Sequence, residues 1–184
     1  LTINISSPNT ENLRTFHNEE NLDELLSLIQ EEKITLKTNI PIAVKISPDI
    51  EDKNIEKISD ILIKYNIELA IISNTTDRNR ENLININKSE KGGLSGKPLE
   101  IISNKIINKF YKFLKNKTII IGAGGVDSGK SAYEKIINGA SLVQLYTGMI
   151  YQGPNIAHKI SNELIYILKT KGFKNISEAI GSKN

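Results

Sequence analysis

The sequence predicts an α/β fold built on a parallel sheet. Five short apolar runs, rich in β-branched residues, are nearly continuous rather than alternating, as in strands that are buried on both faces. Segments with apolar residues at three- and four-residue spacing separate them, which indicates amphipathic helices. Strand and helix therefore alternate five times, a pattern that fits either a doubly wound sheet or part of a (β/α)8 barrel.

Each predicted strand is a short run that ends at polar or glycine-rich residues. In chain order the runs are LTINI at residues 1–5, IPIAVKI at 40–46, ELAIIS at 68–73, TIIIG at 118–122 and LVQLY at 142–146. Isoleucine and valine dominate them, and these side chains favour the extended backbone.

Apolar residues at helical spacing predict a helix after each strand. The sets are Leu22, Leu25, Leu26 and Ile29; Ile55, Ile58, Ile61 and Leu62; Ile102, Ile106, Phe110 and Phe113; Tyr133, Ile136 and Ile137; and Ile160, Leu164, Ile167 and Leu168. The longest connection, residues 74–98, contains GGLSGKP and is too long for a passive link, so we expect it to carry function. No linker or repeat marks a second domain.

Composition excludes several kinds of site. The 184 residues carry a net charge of +3 without a basic cluster, which argues against a nucleic-acid partner. No cysteine is present, so thiolate metal sites, disulfides and a cysteine base are excluded. His17 and His158 have no metal-ligand spacing to an acid or to each other, so we expect two surface histidines and no metal site. No apolar run is long enough to span a membrane.

A polar turn follows every predicted strand, and these turns should meet. The turns are SSPNT, SPD, NTTD, GAGGVDSG and YTG, in chain order. In parallel α/β folds ligands bind at the carboxyl ends of the strands, so one site is expected there. The acids of SPDIED, in contrast, are explained by Asp49 as an N-cap with Glu51 and Asp52 in the first turn of a helix.

The glycine loop GAGG predicts a phosphate site. Its backbone N–H groups are uncovered, and DSG after it supplies a helix N-cap, although a lone glycine cluster is more often only a tight turn. It follows the fourth visible strand, and Tyr146, Thr147 and Gly148 follow the fifth. Barrels commonly bind phosphate with the loops after strands seven and eight. The position therefore predicts three further βα units before this segment.

Six motifs in order carry a family resemblance: NISSPNT, PIAVKISPD, SNTT, GGLSGKPL, IIGAGGVDSG and GASLVQLYTG, with ISEAIG near the end. Together they resemble the C-terminal part of class 2 dihydroorotate dehydrogenase over essentially the whole chain. The resemblance implies a (β/α)8 TIM barrel of which this chain carries about the last five βα units. Residues 1–184 would be the C-terminal portion of a single FMN-binding barrel domain, with the N-terminal strands and membrane-associating helices outside them.

The implied activity is FMN-dependent oxidation of dihydroorotate to orotate, with quinone as electron acceptor, in de novo pyrimidine synthesis. The implied location is peripheral on the cytoplasmic face of a bacterial cell membrane, or alternatively on the mitochondrial inner membrane, with membrane contact through the N-terminal region. Two alternatives stay open. The chain could be another phosphate-binding barrel enzyme that shares only the last two loops. It could also be an inactive fragment that needs a complementary N-terminal chain, because five strands cannot close an eight-stranded barrel.

The resemblance also implies roles in catalysis and substrate binding. Ser7 would take the proton from C5 while a hydride leaves C6 for flavin N5, and Thr10 is the candidate for relaying the proton. Class 1 relatives have cysteine at the Ser7 position. The expected substrate ligands are Asn4, Asn9, Asn74 and Thr75. Their neutral amides and hydroxyl suit a planar, amide-rich anion that a carboxylate would repel. Without the resemblance, the asparagines would be read as turn residues.

For the cofactor, the resemblance implies that Lys45 lies beside the isoalloxazine ring, with Asn4 and Ser73 as further flavin contacts; taken alone, Lys45 could equally be a snorkelling strand-end lysine. The positions expected to hold the FMN tail and phosphate are Gly96, Gly124, Gly125, Tyr146 and Thr147.

The segment at residues 10–18 should form a mobile lid beside a rigid Ser7. Pro8 fixes its own φ and restrains the residue before it, whereas the lid is polar and has only Leu13 and Phe16 as apolar anchors. Arg14 and His17 would then be gating or surface residues rather than direct ligands.

Overall fold

Five parallel strands form one sheet in the order of the sequence. A computed structural model describes residues 1–78, 80–114 and 116–184. The strands are β1 (Thr2–Asn4), β2 (Ala43–Ile46), β3 (Leu69–Ile72), β4 (Ile119–Ala123) and β5 (Leu142–Gln144). The predicted parallel α/β fold is therefore confirmed, and each strand lies inside or within one residue of its predicted run.

Helices connect the strands at the predicted places. They are α1 (Glu19–Thr35), α2 (Asp52–Lys64), α3 (Glu100–Leu114), α4 (Gly129–Ile137), α5 (Thr147–Gln152), α6 (Ile156–Thr170) and α7 (Ile176–Ala179). In α2 all four predicted apolar positions are buried. In α3 one prediction is wrong: Phe110 is fully buried but Phe113 is exposed, because a three-residue step from Phe110 turns its side chain toward the edge of the packed face.

Within the described ranges, the helices pack on one face of the sheet. The main core joins alternate strand residues, such as Val44 and Ile72, to Leu26 of α1, Ile58 of α2 and Phe110 of α3. The intervening strand residues point the other way and form a small cluster of Ala43, Ile71 and Ala123, without helix residues. A doubly wound sheet would carry helices on both faces. The described elements therefore form part of a barrel, with the helices outside.

The carboxyl ends of the strands meet at one edge of the sheet. The connection at residues 74–98 folds back over this edge, because Thr76 and Leu94 pair in an antiparallel bridge with N–O distances of 3.1 and 2.7 Å. Two short 3-10 helices, Ile86–Ser89 and Lys97–Leu99, lie within and just after it. Within the described ranges, no helix combines the length and apolar character that crossing a bilayer requires.

Candidate active site

A cavity of about 320 Å³ opens at the carboxyl edge of the sheet. Nine predicted site residues line it: Lys45, Ser73, Asn74, Thr75, Gly96, Gly124, Gly125, Tyr146 and Thr147. They come from the ends of four strands and from the long connection after β3, so they meet only because the strands are parallel. Residues that were predicted from separate sequence motifs therefore lie together on one concave surface.

One end of the cavity is formed by glycine backbone. Gly96, Gly124 and Gly125 have φ angles of 77°, 96° and 76°, in the left-handed region that favours glycine. A Cβ on Gly125 would lie 2.6 Å from the Cβ of Glu100, so a side chain has no room there. The predicted N-cap after this loop is confirmed, since the Ser128 side chain accepts a hydrogen bond from the Ser131 N–H. This end of the cavity therefore exposes backbone rather than side chains.

Two hydroxyl groups face each other across this end. Thr147 Oγ1 donates to Ser95 Oγ at 2.9 Å, which joins the loop after β5 to the connection after β3. Sequence reasoning missed Ser95, although it lies inside the quoted motif GGLSGKPL next to Gly96. A hydroxyl beside a predicted phosphate-binding glycine was the available signal.

The middle of the cavity holds a cation and a buried hydroxyl without a protein partner. Lys45 is half-buried, and burial lowers the pKa of its ammonium group. Among the described residues, no carboxylate forms an ion pair with it. Ser73 is 3% exposed, and its Oγ finds no hydrogen-bond partner within the described structure. Buried hydroxyls are nearly always hydrogen-bonded, so this end of β3 fits a bound group that supplies a partner.

An amide network continues from the cavity to β1. Asn4 Oδ1 accepts hydrogen bonds from Ser6 Oγ at 2.9 Å and from Asn74 Nδ2 at 3.3 Å. Asn74 Nδ2 also donates to Ser6 Oγ at 3.0 Å, and its Oδ1 accepts from the Thr75 N–H at 2.8 Å. Asn4 is outside the cavity lining, but these bonds fix its amide next to Asn74, which lines it. Ser6, a residue that sequence reasoning missed, is fully buried between the two.

The loop after β1 lies beside the cavity. Ser7 Oγ accepts a hydrogen bond from the Asn9 N–H at 3.2 Å, so its position is fixed by the turn that Pro8 begins. Gly93 of the long connection has no room for a Cβ, because the Thr75 side chain and Pro8 Cγ occupy that space. Thr10 is exposed, and no hydrogen bond between described residues joins its hydroxyl to Ser7. Ser7, Asn9 and Thr10 therefore stand beside the lining residues, without a hydrogen bond from the Thr10 hydroxyl to Ser7 among the described residues.

Comparison with known proteins gives the family. The family described as "Dihydroorotate dehydrogenase" matches residues 1–168. The chain belongs to the dihydroorotate dehydrogenase family. A relative named dihydroorotate dehydrogenase (quinone) from Aliivibrio salmonicida is 43% identical over 169 residues, covering 89% of this chain and 50% of the relative. The mitochondrial quinone enzyme of Mus musculus is 41% identical over 183 residues, covering 98% of this chain and 46% of the relative.

A solved structure agrees in fold. The structure titled as DHODH in complex with ferulenol from Eimeria tenella superposes with a TM-score of 0.95 at 36% identity, and the match covers 100% of this chain and 53% of that one. The chain thus spans about half the length of the dihydroorotate dehydrogenases that it matches.

In this chain, Asp49 does not have the predicted role. The N-cap residue of α2 is Glu51, and the prediction of Asp49 as N-cap is wrong. Its carboxylate instead forms an ion pair with Arg14 at 3.0 Å and accepts hydrogen bonds from the Thr76 hydroxyl and the Asp77 N–H. The carboxylate is bound by residues of the loops after β1 and β3, and it therefore does not cap the N-terminus of α2. The sequence did contain a signal for this cluster. The loops after β2 and β3 contain the similar motifs SPD and NTTD, which end at Asp49 and Asp77.

The prediction of His17 as a surface residue is also wrong. His17 is only 8% exposed, and its Nε2 accepts a hydrogen bond from the Ser47 N–H at 3.4 Å. Burial and the nearby positive charge of Arg14 lower the pKa of His17 to about 4. His17 is therefore a neutral anchor between the loop after β1 and the loop after β2. His158, in contrast, is exposed on α6, as predicted.

The lowered pKa of His17 predicts a loss of stability in acid. Between about pH 6.5 and pH 4 the unfolded chain binds a proton at His17 that the folded protein does not. The His17 contribution is thus complete above about pH 6.5, and it is lost as the pH falls toward 4 by up to about 1.4 kcal/mol per pH unit. Urea unfolding of the purified protein at pH 7 and pH 5 measures this. In His17→Gln, which keeps an acceptor but cannot titrate, the difference between the two pH values should shrink, whereas His158→Gln should match the wild type. Identical pH dependence in all three proteins would contradict the assignment.

Proposed function

We propose that this chain forms the flavin- and substrate-binding half of a quinone-dependent dihydroorotate dehydrogenase, which oxidises dihydroorotate to orotate in de novo pyrimidine synthesis. The single observation that supports this most is the cavity at the strand ends, where a glycine backbone loop, a cation and a buried unpartnered hydroxyl lie on one surface. The names of the relatives, all carrying the quinone designation, support the choice of acceptor.

The residues present fit FMN. Gly124 and Gly125 would hold the phosphate through backbone N–H groups, with the Thr147 hydroxyl beside them. The unpartnered Ser73 hydroxyl would bond to the ring system, and Lys45, half-buried without a carboxylate partner among the described residues, would place positive charge beside it. Gly96, Tyr146 and Asn4 would complete the contacts. The chemistry that bound FMN supplies is acceptance of the hydride from C6 of dihydroorotate.

The substrate ligands in this proposal are neutral. Asn74 and Thr75 line the cavity, and Asn4 is fixed next to them by hydrogen bonds to Ser6 and Asn74. Asn9 would reach the substrate from the neighbouring loop. Amide side chains offer both donors and acceptors, which match the amide groups and the carboxylate of dihydroorotate without charge repulsion.

Ser7 is the proposed base for the C5 proton. Its hydroxyl is held by the Asn9 N–H, and this bond leaves the hydroxyl proton free to point elsewhere. A serine hydroxyl is a weak base, so its own proton must pass on as it accepts the new one. Thr10 is the proposed relay. Because no direct hydrogen bond joins the two among the described residues, the relay needs either a bridging water or a movement of the loop.

The open edges of the sheet support a second part of the proposal, which concerns the remaining strands of the barrel. In the described part of the chain, β1 and β5 each pair with a single neighbour, and open edges of this kind must be covered in a stable enzyme. We therefore propose that activity requires the remaining barrel strands, in the same polypeptide or as a complementary N-terminal chain. A lipophilic quinone implies membrane contact through that part, at the cytoplasmic face of a bacterial membrane or at the mitochondrial inner membrane.

Replacement of the proposed base tests the chemistry. In the FMN-loaded protein, Ser7→Ala should lower turnover of dihydroorotate by roughly two to four powers of ten, because a positioned base contributes about that much. Flavin content should stay unchanged, since Ser7 is not among the proposed FMN contacts. Ser27→Ala, at a partly exposed serine of α1, serves as the matched control. Near-normal turnover of Ser7→Ala at saturating dihydroorotate would rule out Ser7 as the base.

Replacement of a cavity glycine tests the cofactor site. Gly125→Val should abolish FMN binding, because the new side chain collides with Glu100 and fills the phosphate position. The matched control is Gly172→Val, which has a similar φ of 83° but open space around it. This variant carries the same backbone strain and should retain its flavin. The flavin absorbance of the two purified proteins measures the difference, and wild-type flavin content in Gly125→Val would refute the site.

A further inference from the structure

One arginine outside the cavity joins three strand-end loops. Arg14 lies in the 3-10 helix Leu13–His17, seven positions after Ser7. Its Nη2 pairs with Asp49 Oδ2 at 3.0 Å, and its Nη1 pairs with Asp77 Oδ2 at 3.0 Å. We propose that Arg14 is a positioning residue, a latch that holds the loop carrying Ser7 closed against the loops after β2 and β3. The kinetic part of this inference rests on the proposed function.

The guanidinium group is also close to the residue before Ser7. Arg14 Nε donates to the backbone carbonyl of Ser6 at 3.5 Å, a long hydrogen bond. The chain thus runs from Ser6 through Ser7 to Arg14, and the Arg14 side chain returns to the Ser6 carbonyl, which closes a ring that includes the proposed base. The five N–H donors of a guanidinium are spread over three nitrogen atoms in a planar fork, so they can reach three separate acceptors, whereas the donors of a lysine ammonium all radiate from one atom. All three acceptors of the Arg14 side chain belong to strand-end loops, and one of them is the carbonyl next to Ser7, so we infer that Arg14 acts by positioning Ser7.

Asp49 is the fixed point to which the latch is attached. Its side chain is 5% exposed, and besides Arg14 it holds the Thr76 hydroxyl and the Asp77 N–H. Thr76 is in turn paired with Leu94 of the long connection. Burial raises the pKa of Asp49, because the ionised carboxylate is removed from solvent. Removal of Arg14 would leave this carboxylate without its positive partner, so the loops should separate.

The rest of the lid segment has weak attachments. Thr10, Glu11 and Asn12 are exposed, whereas Phe16 packs on the main core and His17 is held by the Ser47 N–H. The end of the segment near α1 is therefore anchored by burial, and the end near Ser7 is anchored by Arg14. Asp77 is half exposed, so the ion pair of Arg14 with Asp77 is the one that water can reach and break first. This arrangement lets the lid open at residues 9–14 while His17 stays in place.

Hydrogen exchange tests the latch without reference to activity. In the FMN-loaded protein without substrate, Arg14→Gln should speed amide exchange at residues 9–14 about tenfold, since local opening becomes easier when its polar contacts are lost. Exchange in β2, β3 and β4 should not change. Lys109→Gln, which breaks an exposed ion pair with Asp52 between α3 and α2, is the control and should change neither region. Added orotate should slow exchange at residues 9–14 in the wild type and less in Arg14→Gln.

Kinetics test whether the latch positions Ser7. Arg14→Gln should lower kcat roughly ten- to a hundredfold with unchanged flavin content, the usual effect of a misplaced catalytic group. The kcat of Arg14→Lys should lie between those of the wild type and Arg14→Gln, because an ammonium can keep the ion pair with Asp49 but cannot replace all the contacts of the guanidinium group. Lys109→Gln should keep wild-type kcat.

Three results would overturn the inference: unchanged exchange at residues 9–14 in Arg14→Gln, an equal increase throughout the sheet, or a wild-type kcat despite faster exchange. A wild-type protein that binds FMN but does not oxidise dihydroorotate would contradict the proposed function instead. In that case the exchange experiment would still decide whether Arg14 holds the loop.

Discussion

The parallel register of the five strands is the constraint on which the rest of the structure depends. Asn4 lies beside Lys45, Ile46 beside Ile72, Ile72 beside Gly122 and Ala123 beside Gln144, so each strand ends within one residue of its neighbour. A slip of one residue in β2 would turn Lys45 from the cavity toward the helices. Pairing of apolar strands, which carries no chemistry itself, therefore decides which polar groups meet.

Charge is distributed around the site in two zones. The groups proposed to contact the substrate, such as Asn74 and Thr75, are neutral, and Lys45 is the cation of the cavity lining. The carboxylates of Asp49 and Asp77 lie outside that lining and share the single positive charge of Arg14. This separation keeps negative charge away from a bound anion while the ion pairs still tie the loops together. Strong polar contacts thus hold the site in shape from outside.

Local pattern was enough to predict the elements, the meeting of the strand-end turns and a phosphate site at the glycine loop that includes Gly124. The other cavity residues, such as Lys45 and Ser73, were predicted from the family resemblance and not from the pattern. The cluster around Arg14 could not be predicted, because its partners lie 35 and 63 positions away and any aspartate also suits a helix N-terminus. His17 was missed for a similar reason: a histidine in a polar loop shows no sign of burial until Ser47 of the next unit covers it. Spacing likewise could not show that Phe113 lies at the edge of the packed face.

The central claim is that the strand-end cavity binds a flavin that dihydroorotate can reduce. The most direct measurement mixes the FMN-loaded protein with dihydroorotate without oxygen or quinone and follows the yellow flavin absorbance. We expect the absorbance to disappear and one orotate to form per flavin. Bound flavin that keeps its colour in the presence of excess dihydroorotate would contradict the claim.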